Sequence, residues 1–168
     1  MEPELAEAYK KLYSENEGKE SEETVYVLPA ELKNYGERII RDFVSGYYEA
    51  NRRIKKRLGI GAHLPRRVVV TDFPLIEYNA NGKTEIGVIK GAYDSEEDAV
   101  YINSAFYALS CYPLLVNIED GSWRILPVCY RLNENPSKTC MHETFHATFN
   151  DLAFNRYKQE IAVRKLGG

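Results

Sequence analysis

Two of the three histidines in this 168-residue chain lie within one five-residue window, 142–146, which reads His-Glu-Thr-Phe-His. On an α-helix, residues i and i+4 lie on the same face, so His142 and His146 can offer two imidazole nitrogens to one metal ion. Glu143 lies about 100° further round the helix and can act as a base toward a water molecule at that metal. The spacing therefore predicts a metal site with hydrolytic chemistry. The alternative is a pair of packed or solvated histidines without a metal.

Two histidines hold zinc weakly, so the predicted site needs a third protein ligand, with water in the remaining position if the site is catalytic. Few candidates follow His146. Asp151 can reach the metal only if the helix ends before it, and Glu160 lies about 21 Å further along an unbroken helix. We expect the chain to turn back at 150–151 or at Asn155, forming an antiparallel helix pair that brings Glu160 to the metal. Asp151 is the alternative ligand, and an exposed helix carboxylate is the alternative role of Glu160.

The composition fits one domain with a hydrophobic core, because 44% of the residues are hydrophobic. A net charge of −3 gives no overall attraction to nucleic acid or to an anionic membrane. No apolar run approaches the roughly 20 residues that a bilayer span needs. The sequence begins with acidic residues, Met1-Glu2-Pro3-Glu4, where a signal peptide is basic and then apolar. We expect a cytoplasmic protein without membrane association.

Three cysteines form no CxxC pair and predict neither a disulfide scaffold nor a cysteine zinc site. Small buried thiols are the expected role of Cys111, Cys129 and Cys140. The single glutamine among abundant charged residues is typical of a protein from a thermophilic source. Because thermophiles can form disulfides even in the cytosol, a bridge between Cys111 and Cys129 is the alternative.

The pattern of apolar residues predicts an α+β fold. An acidic, loosely attached segment covers residues 1–28, and residues 29–168 form a single domain. Its expected parts are a long N-terminal helix, a small mixed or antiparallel sheet of three to five strands, a helix that carries the two histidines, and a return helix. The first expected helix runs from Pro29 to a stop at Gly59, and the last helices run from 136 to about 166. Strands are expected at 67–71, 98–103 and 123–128, with a hairpin over 76–90 that turns at Asn81-Gly82. Helical turns are expected in 104–111.

The strand at 98–103, the HExxH helix and a return helix reading Gln159-Glu160-Ile161-Ala162-Val163 together resemble the gluzincin type of HExxH zinc metallopeptidase, in particular its smallest members. The resemblance implies a zinc cofactor, Glu160 as the third ligand with Ala162 two residues later, and hydrolysis of a peptide or protein substrate with Glu143 as general base. It also implies that strand 98–103 lies at the sheet edge and binds extended substrate, with an ordinary interior strand as the alternative.

The chain departs from the metzincin pattern, because Phe149 and Leu152 stand where that family has glycine and a third histidine. No histidine follows His146, so the group that stabilises the oxyanion is unassigned. The candidates for this role are Tyr130, Tyr157, His63 and Arg164.

Two other classes of function compete with the peptidase. Residues 52–67 are rich in arginine and lysine and contain no acidic residue, so they could bind nucleic acid phosphates as part of a DNA-associated regulatory protein. The solvated face of an amphipathic helix is the alternative explanation of that segment. The third class is a catalytically inactive pseudoenzyme, either metal-binding or metal-free, that acts as a toxin, an antitoxin or a scaffold partner.

Overall fold

The structure, a computed structural model, describes residues 24–117, 120–152 and 156–167. These residues form an α+β arrangement with a long helix in the N-terminal part and two helices at the C-terminal end, as the sequence predicts. The helices are α1 (Gly36–Leu58), α2 (Pro136–Asp151) and α3 (Arg156–Lys165), with 3₁₀ turns at Ala30–Tyr35 and Ser104–Phe106. The strands are β1 (Val25–Val27), β2 (Arg67–Thr71), β3 (Leu75–Ala80), β4 (Lys83–Val88), β5 (Gly91–Asp94), β6 (Ala99–Asn103), β7 (Ser110–Asn117) and β8 (Trp123–Tyr130).

The main sheet has the order β1-β2-β6-β5. Its first three strands are parallel, and β5 lies antiparallel to β6 at the edge. The interior strand β6 carries Val100 and Ile102 with no exposed surface, because both of its long sides are paired and its faces are covered. Residues 25–27, which the sequence analysis assigned to the N-terminal segment, pair with β2 and belong to this sheet. Residues 1–23 lie outside the described part of the chain.

Helix α1 is the element that joins the two halves of the core. Toward its N-terminus, Ile39 and Phe43 are fully buried in a cluster with the sheet residues of β2 and β6. Toward its C-terminus, Ala50 and Ile54 are buried in a second cluster with residues of α2 and α3. The helix ends at Gly59, which has the left-handed backbone (φ 70°) that the sequence predicts for a stop at that glycine.

The C-terminal tail folds back, as the sequence predicts. Helix α2 ends at Asp151 and α3 begins at Arg156, and the residues between 152 and 156 lie outside the described part of the chain. Val163 of α3 and Leu166, the residue after its end, are buried in the second cluster with Phe145 and Phe149 of α2. None of the described helices is both long and apolar enough to cross a membrane.

Two hairpins extend the fold beyond the main sheet. The β3–β4 hairpin turns at Asn81 and Gly82, both with positive φ, which confirms the predicted turn. In the β7–β8 hairpin, Cys111 and Cys129 lie directly opposite each other and form a disulfide, so the expectation of two free thiols is wrong and the alternative bridge is correct. Cys140 is buried and free.

Close contact between α1 and α2 depends on a residue without a side chain. A Cβ atom on Gly46 would lie 2.3 Å from the carbonyl oxygen of Ser137 and 2.6 Å from the Cβ of Cys140. Those distances are shorter than van der Waals contact, so any larger residue would force the two helices apart.

A Gly46→Ala substitution tests this contact. We expect it to lower the free energy of unfolding by about 1 to 3 kcal/mol, because overpacking strains both helices by more than the gain in helix propensity. The measurement is urea unfolding followed by circular dichroism. Gly36→Ala is the matched control, since its Cβ would meet only the Leu28 Cδ1 at 3.5 Å. Equal stability of the two variants would contradict the close contact.

Candidate metal centre

Helix α2 carries the HExxH window and begins where its sequence provides a cap. The Asn135 side chain accepts a hydrogen bond from the Ser137 backbone N–H at 3.1 Å, and Pro136 occupies the first turn, where no backbone donor is needed. The helix then continues without a break through residues 142–146. Its regular geometry is what places the two histidines one turn apart on one face.

The two imidazoles face each other across a spacing that suits a shared metal ion. The Nε2 atoms of His142 and His146 lie 3.2 Å apart. Two nitrogens bound to one tetrahedral zinc, each at about 2.0 to 2.1 Å, lie about 3.3 Å apart. The ligand atoms of these two histidines and of Glu143 all lie within 4.8 Å of one another. The predicted residues therefore come together as a group able to hold a metal ion.

Gln159 of α3 orients one of these imidazoles. His146 Nδ1 lies 3.1 Å from Gln159 Oε1, the distance expected when the ring N–H donates to the amide oxygen. With its proton on Nδ1, His146 presents the lone pair of Nε2 toward the metal position. Sequence reasoning missed Gln159. The only available signal was its position on the return helix that was expected to face His146.

Glu160 is exposed on α3 and is not part of the group that His142, Glu143 and His146 form among the described residues. Adjacent residues on a helix point about 100° apart, so the side that brings Gln159 to His146 turns Glu160 away from that contact. The role of Glu160 as third ligand stays a prediction.

Burial changes the acid–base properties of the site. The Glu143 side chain is only 5% exposed, and this desolvation raises the pKa of its carboxyl to about 7. Burial, and secondarily the neighbouring His146, lowers the pKa of His142. A neutral His142 has one ring nitrogen with a lone pair that a metal can bind, and a carboxyl with a pKa near 7 can both take up and release a proton at neutral pH.

An open cleft of about 640 Å³ gives access to this group. Residues of α2, among them Thr139, His142 and Glu143, line one wall, and Gly91 of the edge strand β5 lies on the other. A Cβ atom on Gly91 would lie 2.7 Å from the Thr139 side chain and 3.3 Å from the Cγ of Glu143. The glycine therefore lets the edge strand lie directly against the site.

The edge strand of the sheet is β5, not the strand that the resemblance indicated. The predicted strand 98–103 corresponds to β6, which pairs with both β2 and β5. The expectation of an edge position for that strand is wrong, and the alternative of an interior strand is correct. The segment that could add a further strand beside the cleft is therefore Gly91–Asp94.

Two predicted candidates, Asp151 and His63, contact each other. His63 Nδ1 lies 3.5 Å from an Asp151 carboxylate oxygen, and His63 Nε2 lies 2.8 Å from Asp98 Oδ1. Asp98 also accepts a hydrogen bond from the Tyr93 hydroxyl at 2.7 Å. Both nitrogens of His63 thus face carboxylates, and these contacts tie the end of α2 to the turn between β5 and β6.

The other oxyanion candidates lie on different elements. Tyr130 ends β8, and its hydroxyl accepts a hydrogen bond from Asn103 Nδ2 at 3.1 Å. Arg164 is exposed near the end of α3. Tyr157 belongs to the first turn of α3, and its side chain lies outside the described part of the structure. The assignment of an oxyanion-stabilising residue stays a prediction.

Part of the basic segment 52–67 has structural partners. Arg52 and Arg53 both pair with Glu49, at 2.5 Å and 2.8 Å. Arg53 also donates a hydrogen bond to the carbonyl oxygen of Leu166 at 2.8 Å, next to the C-terminal end of α3. A cation at that end stabilises the helix, so this arginine has a role in the fold that does not depend on nucleic acid.

The contact between Gln159 and His146 predicts an effect on metal affinity. Gln159→Ala should weaken zinc binding by about tenfold to a hundredfold, because the imidazole loses the acceptor that fixes its orientation and tautomer. Competition with a chromophoric chelator measures the affinity. Gln159→Glu keeps an acceptor at the same place and should bind zinc at least as tightly as the parent. If Gln159→Ala binds zinc as the parent does, the contact does not orient His146.

The buried Glu143 predicts a dependence of stability on pH in the metal-free protein. The carboxyl has its ordinary pKa near 4.5 in the unfolded chain and about 7 in the folded one. The folded state therefore binds this proton more tightly, and stability falls as the pH rises from below 4.5 through 7. Glu143→Gln should remove this loss and gain roughly 2 to 3 kcal/mol relative to the parent between pH 4.5 and 8.5.

Urea unfolding at several pH values, in the presence of a chelator, measures this difference. Glu31→Gln makes the same chemical change at an exposed position and should show no such gain. A constant difference between Glu143→Gln and the parent across the pH range would show that the carboxyl is not desolvated in the folded protein.

Comparison with known proteins finds no matching family model, no matching curated protein and no matching solved structure. The resemblance to HExxH metallopeptidases therefore depends on the motif, on the spacing of its imidazole nitrogens and on the cleft beside it.

Proposed function

We propose that this chain is a zinc-dependent peptidase that hydrolyses peptide bonds in a cleft between helix α2 and strand β5. The observation that carries the proposal is the pair of Nε2 atoms 3.2 Å apart, with the buried Glu143 carboxyl within 4.8 Å of both. A packed pair of histidines without a metal role would not need a carboxyl desolvated beside it. Such desolvation costs free energy and is typical of functional groups.

The donor set of the site fits zinc. Imidazole nitrogen is a ligand that zinc prefers, and three protein ligands with one open position are typical of catalytic zinc sites. We propose His142 and His146 as two of these ligands, and Glu160 as the third. When bound, zinc would supply a Lewis acid that lowers the pKa of water and polarises the scissile carbonyl.

Glu143 is proposed as the general base and then the general acid. Its carboxylate takes a proton from the attacking water and passes that proton to the leaving amine. The carboxyl lies in the cleft wall, one residue from His142, so that it can reach a water molecule on the open side of the histidine pair. No other described carboxylate belongs to this group.

Strand β5 is proposed as the element that binds the substrate backbone. It is paired on one side only, with β6, so its other side can hydrogen-bond an extended peptide within the described fold. The close contact of Gly91 with Thr139 and Glu143 shows that one face of β5 packs against α2 beside the site. We propose that a peptide paired with the free edge of β5 lies in the cleft that Gly91, His142 and Glu143 line.

Glu143→Gln tests the proposed function. We expect it to lower peptide hydrolysis by about a hundredfold or more, because the amide cannot accept a proton from water. Elemental analysis should still find zinc in this variant, and His146→Ala should have lost most of it. The measurement is cleavage of a mixed peptide pool, read by mass spectrometry, with the zinc content of each sample determined in parallel.

Glu31→Gln is the control for activity, since Glu31 is exposed outside the cleft. Equal cleavage by Glu143→Gln and the parent would exclude this carboxyl as the base. A parent protein without zinc after expression in zinc-supplemented medium would exclude the zinc peptidase and leave the pseudoenzyme and nucleic-acid alternatives.

A further inference from the structure

The cleft contains two lysines, and they differ in their partners. Lys90, the residue before β5, pairs with Glu134 at 2.7 Å, so a carboxylate already lies beside its ammonium group. Lys138, on α2, also lines the cleft, and no carboxylate of the described residues lies within ion-pair distance of its ammonium group. Lys138 is therefore the cation that the cleft presents to a ligand.

Helix geometry places Lys138 close to the site. It precedes His142 by four residues, so it lies on the same face of α2, about 6 Å along the axis. Thr139, the next residue, contacts the position of Gly91 on the opposite wall. A lysine side chain here can reach across the cleft toward a ligand that lies along β5.

The charges of the site add to this effect. Glu134 is already paired with Lys90, and Glu143 is the buried base of the proposed reaction. A divalent cation at the histidine pair would add positive charge to the region. An anionic group on the substrate is therefore favoured beside Lys138 by its ammonium group.

We propose that Lys138 is a specificity-determining residue that binds a substrate carboxylate near the scissile bond. In an extended peptide each residue advances about 3.3 Å, so a displacement of 6 Å corresponds to about two residues. The cleft then selects peptides with an aspartate or glutamate side chain, or a free C-terminal carboxylate, within about two residues of the cleaved bond. This inference deepens the proposed peptidase function and rests on it, because only that function defines which bond is cleaved.

The test measures binding, so that it does not depend on hydrolysis. Zinc-loaded Glu143→Gln protein is titrated with fluorescent peptides of equal length, and anisotropy gives the dissociation constants. One pair of peptides has blocked ends and differs only in an internal glutamate or glutamine. A second pair has a neutral sequence with a free or an amidated C-terminus. These two arms distinguish a side-chain carboxylate from a terminal one.

In zinc-loaded Glu143→Gln protein, which retains Lys138, we expect a carboxylate peptide to bind about threefold to tenfold more tightly than its amide partner. Adding Lys138→Gln should abolish this preference, and Lys138→Glu should reverse it. The preference should also weaken as the salt concentration rises. Lys56→Gln removes the same charge from an exposed position on α1 and should leave the preference unchanged.

The inference is overturned if neither carboxylate peptide is preferred, or if the preference survives in Lys138→Gln with zinc content and folding unchanged. Failure of the proposed function has a different signature. In that case cleavage by the parent is absent or does not need Glu143, while the Lys138-dependent preference for carboxylates persists and identifies the cleft as a carboxylate-binding site.

Discussion

The position of helix α2 is the constraint on which the rest of the structure depends. It lies against α1, strand β5 and helix α3, and two of these neighbours contact it through glycines. At Gly46 of α1 and Gly91 of β5, an added Cβ would meet α2 atoms at 2.3 Å and 2.7 Å. Close contact on these sides leaves Glu143 only 5% exposed, although both Glu143 and His142 line the cleft.

This arrangement gives one helix two chemical environments. Glu143 lies on the side that packs against β5, and burial keeps its carboxyl protonated up to a pH near 7. His142 and His146 are half-buried, and their Nε2 atoms face each other. His142 lies at the cleft, and His146 lies at α3. The one-residue step from His142 to Glu143 turns about 100° round the helix, and this turn separates a buried base from two more accessible ligands.

The features that the sequence predicted are those that local geometry determines. The spacing of the two histidines, the long helix that ends at Gly59 and the hairpin turn at Asn81-Gly82 each depend on a few neighbouring residues. Strand β5 was missed, because Gly91–Asp94 has only four residues and exists through its pairing with β6. A strand of that kind is determined by contacts distant in sequence.

Two further differences have the same physical origin. The helical turns expected in 104–111 include the 3₁₀ turn at Ser104–Phe106, but strand β7, which begins at Ser110, was not predicted. Pro113 lies opposite Pro127 in a two-stranded hairpin, where the missing N–H groups are tolerated. The contact of Gln159 with His146, which the sequence did not predict, depends on the rotation of α3 about its own axis. The packing of Val163 and Leu166 against α2 determines that rotation, and no local pattern encodes it.

The second cluster of the core packs around α2, the helix that also carries the buried Glu143 carboxyl. Holding Glu143 away from water lowers the stability of the metal-free protein above neutral pH, where the carboxyl must ionise in a desolvated position. Phe145 and Phe149, on the same helix, are almost fully buried together with Ile54 of α1 and Val163 of α3. Burying each such side chain contributes about 1.5 to 3 kcal/mol, enough to offset one desolvated carboxyl. Apolar packing on one side of α2 therefore allows a chemically useful but unfavourable group on the other.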